Sequence, residues 1–517
     1  MSRAEQTARP RTVREVEQKF RVHGLFHIPD LSALPGVTAI DDLGEVELES
    51  AYYDTPDLRL AREGITLRRR VAHGGDDDGW HLKLPVDPHR PGARDEVRLP
   101  LDVPGDPPPG LAAIVRVIVR DAPLGLVSTL RTTRVRQLIR SADADVAELV
   151  DDTVHVVGTD GAVAARFREL ELEERAGGPL VDAVAAELSG AGAVGGEFVA
   201  KAVRALGPNA AAPPEVPEPA SPRPKDPARD TLVAYLAKHI RALRAADIAF
   251  RRDPDDAEAV HQLRVAARRL RSGLRTFRPL LGKAWAEQLR VELAWFARSL
   301  GTVREGDVLR ERLERHCDDL PPDLPAAEVR LVLAEVLGGK VADARSHIGE
   351  LLDSRRYLSL QHQLVRAADR PRVRTDAERP AREVLPPLVD KAWRRLDDAA
   401  AELADDSPDE QWHAARLAAK RTRYAAEAVA PTMGDDAAAF AKQVEKLTDI
   451  LGEHQDAAQA AAAARELANS DQASSDAAFA LGVLASLERS HVHAARERFA
   501  EVWPRVRRAK WRRWLAT

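Results

Sequence analysis

The sequence predicts an α+β protein of two domains, an N-terminal antiparallel β-sheet followed by an all-α domain. Three observations predict it. Residues 12–207 alternate charged and apolar side chains at period two between Gly, Pro and Asp clusters, the pattern of strands. Residues 226–517 are Ala/Leu/Arg-rich at helical period. Between them, residues 208–225 carry so many prolines that neither a helix nor a central strand can persist, which marks a semi-extended linker.

The first strand reads Glu15-Val-Glu-Gln-Lys19, so Glu15, Glu17 and Lys19 lie at i, i+2 and i+4 and point to one face. The same spacing aligns Arg68 with Arg70, His81 with Lys83, and Arg94 with Glu96 and Arg98. It also aligns Arg134 with Arg136, and Glu169 with Glu171 and Glu173. One wetted face of an antiparallel sheet accounts for any single strand. It does not account for the segregation of signs, with acids on the first and a late strand and cations on those between. If the sheet closes with this face inward, its lumen combines carboxylates with Arg and Lys. That suits a polyphosphate with a hard divalent cation, because Mg²⁺ prefers carboxylate oxygen and guanidinium forks grip phosphate oxygens. No GxxxxGK[ST] phosphate loop and no HExxH zinc motif is present.

The helical half contains a duplication. His261, Arg264, Arg268 and Arg271 recur 152 residues later (413 − 261) as His413, Arg416, Lys420 and Arg423, at offsets of three, seven and ten. On an α-helix these offsets fall within an arc of about 80°, so each copy aligns an imidazole and three cations on one stripe. The acids Glu258, Asp409 and Glu410 sit at the expected helix starts, where they cap or complement the dipole. The stripes therefore call for an outside anion. Leu300-Gly301 and Leu451-Gly452 follow at nearly equal distances, and each is expected to end a helix and then supply an acid, Glu305 or Asp456. Further helix breaks are expected near Pro321-Pro322, Pro371, Pro386-Pro387, Pro431 and Asn469-Ser470.

Composition narrows the function classes. The 77 basic and 82 acidic residues leave a formal charge of −5, but local patches rather than the sum decide anion binding. A single cysteine, Cys317, excludes a disulfide framework and a Cys-based zinc site and suits a reducing compartment. The N-terminal residues have no signal-peptide core and no segment is long and apolar enough to span a bilayer, so a cytoplasmic protein with no membrane partner is expected. Nucleic acid is disfavoured for the basic stripes: base stacking needs aromatics, which form 4% of the chain, and Tyr424 alone lies within a stripe segment.

Residues 12–207 resemble the CYTH family of triphosphate tunnel metalloenzymes. The resemblance rests on the ExExK segment Glu15–Lys19, then Tyr52-Tyr-Asp-Thr-Pro-Asp-Leu-Arg-Leu60 and Gly64-Ile-Thr-Leu-Arg-Arg-Arg70. Trp80-His-Leu-Lys-Leu-Pro85, Arg94-Asp-Glu-Val-Arg98, Thr132-Thr-Arg134, Glu148 through Asp152, Phe167-Arg-Glu-Leu-Glu-Leu-Glu173 and Lys201 follow in the family's order. It implies an eight-stranded antiparallel β-barrel tunnel in which Glu15, Glu17, Glu169 and Glu171 hold Mg²⁺ or Mn²⁺. Lys19, Arg68, Arg70, Lys83, Arg134 and Lys201 would hold the phosphates, with Arg94 and Arg136 counted beside them as substrate-binding. Glu15, Glu17, Lys19, Arg68, Arg70, Lys83 and Arg134 form the expected catalytic set. Residues 226–517 resemble the CHAD family, all-α domains associated with inorganic polyphosphate, and the resemblance implies tandem helical bundles. This implies polyphosphate binding by His261, Arg264, Arg268, Arg271, Arg304, His413, Arg416, Lys420 and Arg423.

The expected function is metal-dependent hydrolysis of inorganic triphosphate or short polyphosphate in the tunnel, with inorganic polyphosphate bound by the helical domain and association with polyphosphate granules. Two alternatives stay open: a tunnel that only binds, in a polyphosphate-anchoring protein, and a hydrolase or cyclase acting on an organic triphosphate. Mg²⁺ against Mn²⁺ and the oligomeric state are likewise open.

Overall fold

The computed structural model describes residues 11–73, 77–86, 92–142, 144–158, 160–196 and 200–516. The chain divides into two compact units at the Glu215/Val216 junction.

The first unit is a closed antiparallel barrel. Its strands are β1 (Arg11–Val22), β2 (Ala39–Asp54), β3 (Thr66–His73), β4 (Gly79–Pro85), β5 (Ala93–Leu99), β6 (Gly125–Ser141), β7 (Ala144–Val157) and β8 (Val163–Glu174). Among the described residues they run in the order β5-β4-β3-β2-β6-β7-β8-β1, and β1 returns to pair with β5. A two-residue strand, β9 (Val194–Gly195), adds to β1. Strand β1 closes the ring by dividing its length: residues 11–16 pair with β5 and residues 17–22 pair with β8. Among the described residues the split leaves no long unpaired edge.

Period two decides which side chains enter the lumen. Leu67, Leu82 and Val97 are buried and alternate with Arg68, Lys83 and Glu96, so the barrel carries its charges inside and its apolar face outside. On that outer face Phe20, Leu149, Leu170 and Leu172 pack with Val181, Val184 and Leu188 of the helix Pro179–Gly190. Strand β2 departs from the polar pattern and brings Val46, Leu48 and Tyr52 to the lumen. The short helix α1 (Lys201–Leu206) supplies Lys201 from outside the strands.

The Pro-rich run is fastened near its middle, on either side of the Glu215/Val216 junction. Arg62 Nε donates to the Pro213 carbonyl at 2.7 Å, and Arg120 holds Glu215 at 2.8 and 2.6 Å. Val216 belongs to the core of the helical unit, where Arg241 donates to its carbonyl at 3.1 Å.

The helical unit contains α2 (Ala228–Arg252), α3 (Ala257–Thr276), α4 (Lys283–Ser299), α5 (Gly301–His316), α6 (Ala381–Ala401), α7 (Asp409–Met433), α8 (Asp435–Ala468) and α9 (Ser475–Val506). Three further helices, Ala326–Leu333, Gly339–Asp353 and Arg355–Asp369, lie between α5 and α6. The duplication survives in the burial pattern. Val260, Leu263, Ala266, Ala267 and Leu270 of α3 are buried, as are Trp412, Ala415, Ala418, Ala419 and Thr422 of α7, 152 residues on. Asp256 caps α3 through the Glu258 amide at 2.8 Å.

Two expected helix ends are corrected. Gly452 lies inside the continuous helix α8, whereas its counterpart Gly301 follows a one-residue interruption at Leu300. A helical glycine costs about 1 kcal/mol relative to alanine, which burial of Leu447, Ile450, Leu451 and His454 around it outweighs. Pro386 and Pro387 sit within α6, and burial of Leu385, Pro386, Val389 and Trp393 carries the helix across the lost backbone bonds. The break expected near Pro431 is present: Pro431 falls in the last turn of α7, which is capped by Gly434 with φ 85°.

Candidate functional site

The barrel encloses a cavity of about 650 Å³. Cross-strand register places its acids. Glu17 of β1 stands opposite Glu173 of β8, and Lys19 opposite Glu171. As a result Glu17, Glu171 and Glu173 each offer a carboxylate oxygen within 4.8 Å of the others. Three like charges this close need cations. Lys19 Nζ contacts Glu171 and lies 3.2 Å from Glu17, while Lys201 Nζ lies 2.7 Å from Glu171. Burial alone would lower the Lys19 ammonium, but Glu17, Glu171 and Glu169 raise it well above its ordinary value. Burial likewise opposes the charge on Glu171, and Lys19, Lys201 and Arg134 hold it well below the carboxylate range.

Glu173 differs. Burial pushes its pKa up, Arg134 only partly opposes this, and the neighbouring Glu171 and Glu17 add to it. Its nearest cation in an ion pair among the described residues is Arg175, at 3.8 Å. An under-compensated carboxylate beside two others, all with hard oxygen donors, fits a divalent cation such as Mg²⁺ or Mn²⁺.

The other two acids expected at a metal lie outside the triad and are paired with cations. Glu15 is held by Lys83 and by Arg98 at 3.0 Å. Glu169 takes Lys201 at 3.0 Å and Arg204 at 2.8 Å. Glu173, aligned with Glu171 by period two, was left out of the expected ligand set. The i+2 spacing was the available signal, while the contact with Glu17 depends on barrel closure.

The expected phosphate-holding cations gather around the same cavity. Arg68, Arg70, Lys83, Arg94, Arg134, Arg136, Lys19 and Lys201 all line it. Most have acidic partners. Arg134 holds Asp152 at 2.8 and 2.7 Å and reaches Glu171 at 3.1 Å, Arg136 bonds Glu148 at 2.5 Å, and Arg68 lies 3.5 Å from Glu96. Arg70 contacts Asp77 and donates to Ser50 Oγ at 3.1 Å. Arg94 forms no ion pair among the described residues, and burial depresses its guanidinium despite Glu17. His81, aligned with Lys83 by spacing, is buried against Glu96 at 3.1 Å. Arg98 and Arg175 also line the cavity; neither was in the expected substrate set.

In the helical unit, α3 and α7 bring the two stripes together. Arg268 and Arg269 lie over the Tyr424 ring, with guanidinium carbons 5.8 and 4.3 Å from its centroid. Burial pushes Lys420 down to about 7, and the charges of Arg416, Arg268 and Arg264 push in the same direction. Lys420 and Arg268 have no ion pair among the described residues. Arg264 donates to the Gly301 carbonyl at 3.1 Å, Arg416 lies 3.8 Å from Asp456, and His413 Nδ1 lies 2.6 Å from Gln455 Oε1. His261 occupies the first stripe position and is half-buried. Arg271 is exposed, whereas Arg423 is engaged by Glu427, Glu445 and, at 3.0 Å, Thr448. The Arg304 side chain lies outside the described residues. No described helix is long and apolar enough to cross a membrane.

Residues 13–188 match the CYTH domain and residues 234–465 match the CHAD domain. Over 472 residues the chain is 34% identical to the uncharacterized proteins MT2285 and Rv2226 of Mycobacterium tuberculosis strains CDC 1551 / Oshkosh and ATCC 25618 / H37Rv, covering 87% of this chain and 87% of each relative. Among solved structures, it is similar to PptA from Streptomyces chartreusis at 29% identity and TM-score 0.47, over 54% of this chain and 99% of that one. It is also similar to the CHAD domain from the plant Ricinus communis at 22% identity and TM-score 0.44, over 55% and 95%. With the barrel, the helical duplication and full-length relatives in agreement, the chain belongs to the family of proteins that join an N-terminal CYTH domain to a C-terminal CHAD domain.

Proposed function

We propose that the barrel hydrolyses inorganic triphosphate or short polyphosphate with Mg²⁺ or Mn²⁺, and that the helical unit binds inorganic polyphosphate. The observation that carries the reading is the carboxylate triad Glu17, Glu171 and Glu173, set within a cavity lined by Lys and Arg. Glu17 and Glu171 come from the expected ligand set, Glu173 joins them, and Glu15 and Glu169 of that set lie outside the triad.

The chain's own residues supply most of what phosphoryl transfer needs, which is positioning and neutralisation of charge on non-bridging oxygens. Arg68, Arg70 and Arg94 offer planar forks to the phosphates, and Lys83 and Lys201 offer point charges. A substrate phosphate would replace the internal carboxylate partners of Arg68, Arg70, Lys83 and Lys201, so those charges are oriented before it enters. A divalent cation held by the triad would supply Lewis acidity toward phosphate oxygens. No protein nucleophile is needed.

A phosphate-release panel tests the tunnel, using tripolyphosphate, long polyphosphate, ATP and thiamine triphosphate with Mg²⁺ or Mn²⁺. Metal-dependent release from tripolyphosphate is expected to lead the panel. Preferential turnover of an organic triphosphate, or none at all, would replace the reading. For the helical unit, Arg264→Glu combined with Arg416→Glu should weaken polyphosphate retention and flatten its salt dependence, because each neutralised phosphate adds roughly 0.7–0.9 to the slope of log affinity against log salt.

A further inference from the structure

A second cleft opens in the helical unit, at the junction of the end of α3 with α6 and α7. Its volume is about 200 Å³, and five cations line it: Arg275, Arg278, Lys391, Arg395 and Arg421. None forms an ion pair among the described residues, and no acid lines the cleft. The stripe residues Arg264, Arg268, Arg416 and Lys420 are not part of its lining.

The duplication provides an internal comparison. Between α3 and α7 the copies are offset by 152 residues, and between α2 and α6 by 153, as buried pairs such as Leu232 and Leu385 show (385 − 232). By these offsets Arg421 corresponds to Arg269, Arg275 to Glu427, Ser272 to Tyr424, and Leu388 to Tyr235. In that other copy the space is filled and neutralised. Glu427 pairs with Arg269 and, at 2.6 Å, with Arg423. Tyr424 lies under Arg269, and Tyr235 Oη donates to the Arg269 carbonyl at 2.7 Å.

The cleft has lost each of these fillings. A serine and a leucine stand where the other copy has two tyrosine rings, and an arginine stands where it has the neutralising carboxylate. Burial and the surrounding Arg421, Arg290, Arg395 and Arg271 depress the Arg275 guanidinium, as expected for cations gathered without a counter-charge. Structural stability favours the arrangement of the other copy, since like charges side by side repel.

We propose that this cleft, which adjoins Arg271 of the first stripe but is lined by no stripe residue, is an anion site that takes a phosphoryl group of inorganic pyrophosphate or of a polyphosphate chain. Its charge, its fork-bearing arginines and its size suit one or two phosphate groups. The assignment does not depend on the stripes binding polyphosphate.

Lys391 is an exposed amine in the cleft and reports occupancy directly. The full-length protein would be acetylated with a limiting amine reagent, and the rate at Lys391 followed by mass spectrometry against inorganic pyrophosphate or long-chain polyphosphate. Both should slow labelling, and protection should persist in Arg264→Glu with Arg416→Glu. Arg275→Glu restores the carboxylate of the other copy and should raise the half-protecting concentration at least about tenfold, on the scale of one lost charge-assisted contact. Arg275→Gln should fall between, with thermal unfolding of both variants confirming the fold. Protection by polyphosphate alone would assign the cleft to the chain, and protection by both ligands would show that a free diphosphate suffices. Lys391 labelling unaffected by either ligand, or protection equal in wild type and Arg275→Glu, or lost in the stripe variant, would overturn the site.

Discussion

Arg134 grips Asp152 with two arms of its guanidinium, Nε to Oδ1 at 2.8 Å and Nη2 to Oδ2 at 2.7 Å, across the β6–β7 ladder. Asp152 is fully buried and also accepts from Lys201 Nζ at 2.8 Å, so one carboxylate serves two cations of the cavity. Burial opposes its charge, and Arg134 and Lys201 more than reverse that effect, holding it below the ordinary carboxylate value. Asp152→Ala should therefore leave two buried cations short of a partner. Breaking a buried pair from one side costs about 3–5 kcal/mol. Denaturant unfolding of the barrel should show a loss of that order, whereas Glu49→Ala, which removes the exposed Arg131–Glu49 pair on the outside, should cost less than about 1 kcal/mol.

The carboxylate triad makes a prediction that separates ligand from scaffold. Glu17→Gln and Glu173→Gln each keep side-chain size and remove one anionic donor. Both should lower metal-dependent phosphate release by at least about 100-fold, the upper end of what an outer-shell change costs at a metal site. Calorimetric titration with Mn²⁺ should show weakened binding in both. Glu169→Gln, whose carboxylate is held by Lys201 and Arg204, should change metal affinity less. Undiminished Mn²⁺ binding by a folded Glu173→Gln protein would remove Glu173 from the site.

Lys420 predicts a pH dependence in the helical unit. Its ammonium titrates near 7 because burial, then Arg416, Arg268 and other nearby charges disfavour the cation. Polyphosphate favours the charged form. Below pH 7 that form is already present, so binding needs no proton there. Above pH 7 the ligand must draw a proton in, and affinity should fall toward tenfold per pH unit before levelling off at the pKa of the bound state. Polyphosphate affinity measured from pH 6 to pH 9 at constant salt should show this decline. In Lys420→Arg it should be nearly flat, because arginine stays charged throughout.

Legibility in the sequence followed the range of the interactions involved. The alternation around Arg68 and Arg70, and the matched offsets of His261 and His413, are local patterns. They carried the strand faces, the helix stripes and the two-domain class. Barrel closure is not local: the meeting of Glu17 with Glu173 needs β1 to pair with β8, 156 residues away (173 − 17), so spacing could mark a shared face but not select the partner. Local rules also lost to packing. Pro386-Pro387 and Gly452 read as helix breaks, and buried neighbours kept both helices continuous. The stripes were visible one at a time. Their convergence through Tyr424, and the unfilled cleft beside Arg275, depended on how the two copies dock.

The last prediction concerns autonomy of the barrel. The barrel's closing pairs, its charged cavity and Lys201 all lie within the first compact unit. That unit also includes part of the Pro-rich run, since Arg120 is bound to Glu215 and Arg62 to the Pro213 carbonyl. A fragment ending at residue 210 would lose both anchors, and Arg120, buried at 3% exposure, would be left without its carboxylate. Residues 1–215 should therefore unfold at a higher denaturant concentration than residues 1–210, by the about 3–5 kcal/mol that an orphaned buried charge costs. Tripolyphosphate turnover by the 1–215 fragment should approach that of the full chain, while the full chain carrying Glu17→Gln should still retain long polyphosphate. On long substrates the full chain should have the lower KM if the helical unit binds polyphosphate as proposed, because tethering such a unit raises the effective concentration of chain ends near the tunnel. Equal KM values for fragment and full chain on long polyphosphate would show that the two units act independently. A folded 1–215 fragment without activity on tripolyphosphate, beside an active full chain, would instead require a residue of the helical unit in the reaction.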